Sequence, residues 1–425
     1  MVEHYVCNVE TAVRFCLGPL HCILKLLNRM ITNKQIIDKI NQKTSEEPLL
    51  YITRNKQRAL GIEKLLTNYR IITTIPLKDT AEILKTMVIP KGMAIVFKNN
   101  SKIQRISKER GIKLLNPDFH LVEKYENKIS QYQWLEEIIP EYLPLTIISA
   151  PESILFSKLE KEIGLPFISQ FNRSHSGEGT QIVKNEEDWT KLKEKFPQRP
   201  LRLSKLIKGE TFTINVCIWE KHILLGNPSY QITGLKEFTD LPFATIGNDW
   251  FYANKNLSEK DLKNIGKITE KIGNTMMKDG WKGLFGLDFI RSEEDWFVVE
   301  INARQPASVN LETTFQQKQG DGLTIMTAHL AALLNIAPPT DNLKLQKLNQ
   351  GAQILIRRKK EQKHYKLEKL FSNIEQEWVC HKQKMGPDPK YNEVVCSIQK
   401  EKGGFIEKHN QWNSDAQKIV KILSD

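Results

Sequence analysis

The sequence predicts an α/β (α+β) protein in several parts: a small parallel sheet, a larger region of antiparallel strands and helices, and a closing α+β segment. Three observations lead there. Residues 47–125 alternate short apolar runs with helical stretches, the β-α-β-α-β order of a small parallel sheet. Residues 201–233 alternate polar and apolar positions like antiparallel strands. A chain of 425 residues, 40% hydrophobic and 26% charged, has material for more than one buried core, at ~100–200 residues per domain.

The elements follow in order. Residues 1–45 are expected to form a helical extension. Its stretch "TAVRFCLGPLHCILKLLNRM" (11–30) is interrupted by Arg14, His21 and Lys25, well short of the ~20 apolar residues of a membrane span. Apolar residues at 20, 23, 24, 26 and 27 suit an amphipathic helix packed on the body or on a partner subunit. The start lacks a positive n-region, so no signal peptide is expected.

Residues 46–124 form the small α/β unit. "PLLYIT" is a strand, "NKQRALGIEKLLTN" (55–68) a helix, "YRIITTI" a strand, "DTAEILKTM" a helix and "MAIVFK" a strand. No GxGxxG follows the first strand, which excludes the dinucleotide fingerprint. "YENKISQYQWLEEIIPEYLPLT" (125–146) is a helix ending at a Pro-bounded loop. "LPFISQF" (165–171) is a strand, and "NRSHSGEGTQIV" (172–183) is a glycine loop entering another. "EDWTKLKEKF" is a helix, and "SEKDLKNIGKITEKIGNTMMKD" (258–279) a long amphipathic one with Ser258 as N-cap. "GDGLTIMTAHLAALLNI" (320–336) is helical, and residues 341–425 mix short strands and helices as a closing segment.

Between the last two helices lies "GLFGLDFIRSEEDWFVVEINARQPAS" (283–308), an apolar hairpin interrupted by Asp288 and Glu300. A three-residue "EED" loop places Asp288 opposite Glu300. Side chains so paired lie ~4.5–5.5 Å apart at Cβ, where like charges repel. Asn302 follows on the same face, and Arg304 after it. A hard divalent cation resolves the repulsion; Mg²⁺ uses one or two carboxylates plus substrate phosphates. Arg304 adds a fork suited to phosphate. The bland alternative, a solvated strand edge, conflicts with the apolar flanks.

Lys and Arg total 62 against 50 Asp and Glu, a net charge of +12, which favours anionic partners. The only compact basic run, "IRRKKEQK" (356–363), is expected to be a solvated face. No zinc-finger or RNP pattern supports nucleic acid. The six cysteines form no CxxC pair and are expected to be reduced thiols in a cytoplasm.

The order of these pieces resembles the ATP-grasp superfamily over about residues 125–335. They are a helix-borne Lys, a strand with a glycine loop, a strand-turn-strand, a long helix and the acidic hairpin. "GLDF…VVEINAR" matches most specifically. The resemblance implies an ATP-grasp fold over 125–340, with ATP and Mg²⁺ (or Mn²⁺) as cofactors. Asp288, Glu300 and Asn302 would hold the metal in the hairpin 283–304. Arg304 would contact the transferring phosphoryl group or acyl phosphate, and Lys128 would reach the nucleotide phosphates. The backbone of Ser204, Lys205, Leu206 and Ile207 would bind adenine, and Ser176, Gly177 and Gly179 belong to the loop (172–180) closing over the phosphates. Gln170 stands where many members carry a Lys and supplies no charge; Lys128, Lys205, Arg304 or Arg173 could compensate. "QPAS" (305–308) stands where biotin carboxylases carry a Gln-Val-Glu segment, which favours the amino-acid and peptide ligases. The implied activity is joining a small-molecule carboxylate to an amine through an acyl phosphate. The alternatives are a degenerate ATP-binding regulatory or scaffold protein, or an enzyme like the carbamoyl-phosphate synthetases and biotin carboxylases that the chain resembles more distantly. A homodimer is common among such relatives. Ser229, Gln231, Asn248 and Asp249 could line the acceptor pocket, whereas Glu312 and His329 fit packing as readily as chemistry.

Overall fold

The computed structural model describes residues 32–74, 79–173, 179–293, 295–360, 371–372, 378–382 and 391–424. The stretch 11–30, with Cys7, Cys16 and Cys22, lies outside the described residues. The protein is α/β; after the helix Asn33–Lys43 comes a parallel sheet. β1 (Leu49–Ile52), β2 (Tyr69–Ile72), β3 (Met93–Val96) and β4 (Lys113–Leu114) pair in the order β2-β1-β3-β4, all parallel. β1 and β3 are buried along their whole length, as central strands covered on both faces must be.

The helix expected over 55–68 does not form; only a 3₁₀ turn, Lys56–Ala59, is present. Tertiary partners take the carbonyls that a helix would use. Gln305 Nε2 donates to Arg58 O (2.7 Å), Gln317 Nε2 to Gly61 O (2.7 Å) and Tyr69 Oη to Ala59 O (2.9 Å). Gly61 has φ +118°, and a Cβ there would sit 3.1 Å from Asn310 O, so the chain turns where a helix would continue.

The helix expected from residue 125 is two helices, Phe119–Glu126 and Lys128–Ile138, broken at Asn127 (ψ 124°). Asn172 explains the break. Its backbone oxygen accepts from Lys128 N and its Oδ1 from Ile129 N, both at 3.0 Å. Two orphan N–H groups of the second helix are thereby satisfied from the entry of the glycine loop.

Two antiparallel sheets follow. β5 (Thr146–Ser149), β6 (Phe167–Phe171), β7 (Thr180–Val183) and β8 (Leu201–Lys205) pair in the order β5-β8-β6-β7. Phe167, Leu201 and Leu203 point into a core with Leu159, Ile163, Trp189 and Leu192 of two covering helices. Gln170, Arg202 and Ser204 alternate with these and occupy the other face.

The large sheet contains β9 (Glu210–Trp219), β10 (His222–Leu225), β11 (Ser229–Thr233), β12 (Thr245–Asp249), β13 (Gly283–Ser292), β14 (Asp295–Asn302), β15 (Ala352–Arg357), β16 (Trp378–Lys382) and β17 (Val394–Lys400). Its order is β14-β13-β9-β11-β12-β15-β17-β16, with β10 beside β9. β15, β16 and β17, all after residue 350, therefore extend this sheet, while Ile406–Lys408 and Gln411–Trp412 pair as a separate two-stranded sheet. Behind it, Ile265, Ile268 and Ile272 of the helix Glu259–Lys278 pack with Phe285, Leu287 and Phe289 of β13. Ser258 caps that helix in a capping box with Asp261.

Arg357, at the head of the basic run, is not a solvated side chain. It is buried and donates to Thr245 O and Asn392 O. Cys217, Cys380 and Cys396 are free thiols. No helix among the described residues is long and apolar enough to cross a membrane.

Candidate functional site

The hairpin pairs Asp288 with Glu300. It reaches that register by two offsets that cancel. The turn is one residue tighter than a three-residue loop, since Ser292 pairs with Asp295. Glu293, at φ +55°, makes the tight turn. A bulge between Asp288 and Phe289 then skips Val299 on the facing strand and restores the pair.

Asp288 is buried at 8% exposure. Its Oδ2 accepts from Asn302 Nδ2 at 3.1 Å, while its Oδ1 is buried without a hydrogen-bond partner. Burial, then the negative charge of Glu300, pushes the carboxyl up to about 6. Glu300 is paired by Lys128 Nζ at 2.9 Å, from the first turn of the helix beneath. Lys128 itself is 4% exposed.

A second charged group adjoins it. Arg304 Nη2 donates to Asn302 Oδ1 (2.6 Å) and Arg304 Nε to Glu126 Oε1 (2.9 Å). Lys98 Nζ reaches the same Glu126 oxygen at 2.9 Å. Burial alone would raise the Glu126 carboxyl, but Arg304 and then Lys98 outweigh it and hold it at about 2.

The four-stranded sheet contributes the facing wall. Gln170 pairs across the strands with Arg202, a residue that sequence reasoning missed. Arg202 is 3% exposed, donates through Nη1 to Val299 O (3.1 Å), and so lies against β14 of the acidic hairpin. Its Nε donates to Ser204 Oγ at 3.3 Å. Burial lowers the guanidinium and Glu300 raises it, leaving it at about 10 and cationic at neutral pH. Strand alternation in "LRLSK" puts Leu201 and Leu203 in the core and Arg202 on the opposite face, so nothing in the local pattern marks Arg202 as buried.

The other expected positions divide. Arg304, Asn302 and Asp288 form one hydrogen-bonded chain, and Lys128 pairs with Glu300, which faces Asp288 across the hairpin. Lys205 is exposed, on the opposite face from Ser204, and its backbone N donates to Leu145 O at 2.8 Å. Leu206 and Ile207 continue beyond the end of β8. Gly179 O accepts from Phe171 N at 3.1 Å, while Ser176 and Gly177 lie outside the described residues. Arg173 pairs with Glu123 at the surface (2.9 Å), away from Gln170.

Several polar residues are engaged in packing. Asn248 Nδ2 donates to Ser229 Oγ (3.0 Å), both buried, and Gln231 neighbours them on β11. Asp249 accepts from the backbone N of Tyr252 (2.8 Å), Phe405 (2.7 Å) and Ile406 (3.1 Å). Asp249→Ala is therefore expected to lower stability by ~3 kcal/mol or more, read by denaturant unfolding, because three buried donors lose a charged acceptor. Glu312, fully buried and raised by burial, accepts from Asn215 and Asn227. His329 accepts from Leu284 N (3.1 Å), and burial holds its imidazole down at about 3, neutral at physiological pH.

Among the described residues no three His, Cys, Asp or Glu side chains cluster for a metal. The orphaned Asp288 oxygen, its facing Glu300 and the Asn302 amide nonetheless fit a hard cation that completes its shell with other oxygens.

Residues 125–308 match the family model described as ATP-grasp domain. The chain is 22% identical over 228 residues to the carbamoyl phosphate synthase large chain of Clostridium acetobutylicum, covering 52% of this chain and 20% of that one. It is 29% identical over 160 residues to the D-alanine–D-alanine ligase of Petrotoga mobilis, covering 36% of this chain and 52% of that one. The chain thus spans about a fifth and about half of the lengths of these relatives. Its fold is similar to that of carboxyaminoimidazole ribonucleotide synthase from Aspergillus clavatus, solved with ATP, with a TM-score of 0.63, 14% identity, and coverage of 89% and 98%. The paired hairpin carboxylates, the parallel sheet ahead of two antiparallel sheets and the match agree, and residues 125–308 of this chain are an ATP-grasp domain.

Proposed function

We propose that this protein is an ATP-dependent ligase that joins a carboxylate to an amine through an acyl phosphate. The observation that carries it is the Asp288–Glu300 pair, Asp288 buried with one orphaned oxygen and Glu300 partly exposed, facing three cationic side chains: Lys128, Arg202 and Arg304. Asp288, Glu300 and Asn302 would hold Mg²⁺, which when bound neutralises the β- and γ-oxygens of ATP. Lys128 and Arg202 stand beside Glu300 to meet phosphate oxygens, and Arg304 is anchored by Asn302 and Glu126 towards the transferring group. The backbone of 204–207 would take adenine, and amide groups of the loop 172–180 would close on the phosphates.

In the first step a substrate carboxylate oxygen bonds to the γ-phosphorus, the β–γ bridging P–O bond breaks, and ADP leaves. In the second an amine attacks the acyl carbon and loses a proton, and phosphate departs, leaving the amide. The protein supplies position and charge; no protein nucleophile is required.

The test is ADP release from Mg-ATP with amino acids, short peptides, dicarboxylates and bicarbonate, each with and without an amine. Release that needs both partners, with an amide in the mass spectrum, supports the ligase. Tight nucleotide binding without release on any member favours a degenerate ATP-binding regulatory or scaffold protein, for which the uncharged Gln170 is the specific observation.

A pH dependence follows from Asp288. Its carboxyl is raised, so at neutral pH ionisation costs stability; that cost is absent below the ordinary value of 3.8 and develops as pH rises through about 6. Mg²⁺ needs the ionised form. Mg²⁺ affinity, followed by calorimetry with ADP present, is expected to fall up to ~10-fold per pH unit below about 6. A flat profile from pH 5 to 7 would remove Asp288 from the metal shell.

A further inference from the structure

The loop that follows β1, "TRNKQRA" (53–59), carries Arg54, Lys56 and Arg58 and no acid. It lies at the carboxyl end of a central parallel strand, where open α/β sheets take their ligands. Arg54 leans on Glu393 (3.7 Å) and Lys56 is exposed. Arg58 differs. Its guanidinium stacks over the Phe97 ring, 3.4 Å from the centroid, just beyond the end of β3. Its Nη1 is buried and has no hydrogen-bond partner.

Arg304 approaches the same Phe97 ring, at 5.1 Å. The charge facing Arg58 is therefore another cation. Burial and then Arg304 lower the Arg58 guanidinium to about 9, which leaves it charged at neutral pH. Around Phe97 stand Arg58, Arg304 and Lys98 against one carboxylate, Glu126, which already serves the latter two. Two forks, one with a free buried N–H, converge without an anion to share.

The arrangement is braced. Gln305, the residue after Arg304, donates through Nε2 to Arg58 O and through its backbone N to Phe97 O (3.2 Å), and accepts from Tyr51 Oη. Gln305 is a positioning residue that fixes the β1 loop, the Phe97 ring and the end of the metal hairpin to one another.

We propose that Arg58, with Arg304, is the subsite for an anionic group of the small-molecule co-substrate, a carboxylate or a phosphate, held at the carboxyl ends of β1 and β3. This rests on the ligase activity proposed above, which supplies the co-substrate. Bidentate guanidinium recognition suits either oxyanion. The subsite would present that molecule from the N-terminal sheet towards the phosphates bound between the two antiparallel sheets.

The test uses the full chain with its nucleotide site filled by Mg-AMPPNP. Inorganic phosphate and succinate are titrated separately by calorimetry, which distinguishes a phosphorylated co-substrate from a dicarboxylate. Saturable binding of at least one is expected, weakened ~10–100-fold by Arg58→Met and less by Arg58→Lys, with Mg-AMPPNP affinity unchanged. If Arg58→Met does not fold, Arg58→Lys alone is expected to show the weaker binding. Wild-type protein that binds neither anion, or Arg58 variants that bind both as wild type does, would overturn the subsite. Failure of the ligase assignment shows separately, as absence of substrate-dependent ADP release from Mg-ATP, which the anion titrations do not read.

Discussion

Glu300→Gln is expected to reduce ADP release by at least ~10²–10³-fold while the protein stays folded. Two effects on stability oppose each other. The buried Lys128 loses its carboxylate partner, held at 2.9 Å, but the amide oxygen can still accept from Nζ. The repulsion that helps raise Asp288 disappears with the Glu300 charge. The melting temperature should therefore move little without metal. What should vanish is the gain on adding Mg²⁺ with ADP, a linkage worth ~2.7 kcal/mol at a ligand concentration of 100 Kd. A variant that keeps normal ADP release with an activating substrate would show that Glu300 does not serve the metal.

Arg202→Met is the second large effect. It should weaken Mg-ATP binding ~10–100-fold, the scale of a lost charge-assisted hydrogen bond in a dry site. Removing the cation also leaves Val299 O and Ser204 Oγ without that donor and Glu300 without a neighbouring charge, so stability should fall as well, and the affinity loss is read on protein shown to be folded. Gln170 faces Arg202 across the strands. Adding Gln170→Lys to Arg202→Met should return part of the affinity, because the cation is then supplied from the neighbouring strand. No change in nucleotide affinity in Arg202→Met, or no recovery in the double variant, would leave Gln170 uncompensated.

The hairpin shows how far pattern alone reaches. Strand alternation and the charges at 288, 300, 302 and 304 were enough to bring those side chains to one place. Yet the register arose from a tighter turn plus a bulge, which period-2 reasoning does not see. The helix over 55–68 failed for a different reason. Its composition is helical, but Gln305, Gln317 and Tyr69 bind its carbonyls, and Gly61 must pass close to Asn310. Asp249 and Arg357 looked like surface chemistry and are buried hydrogen-bonding posts for the closing segment.

By itself the sequence determined the α/β class, the antiparallel pairing and the presence of a carboxylate pair in an apolar hairpin. These are local: they follow from side-chain period and from the cost of burying unpaired charge. The tertiary structure alone decided that Arg202 stands beside Gln170 and that Arg58 shares the Phe97 ring with Arg304. Each of those cations is brought to its neighbour from a distant part of the chain by sheet order and long-range packing, which no short window of sequence encodes.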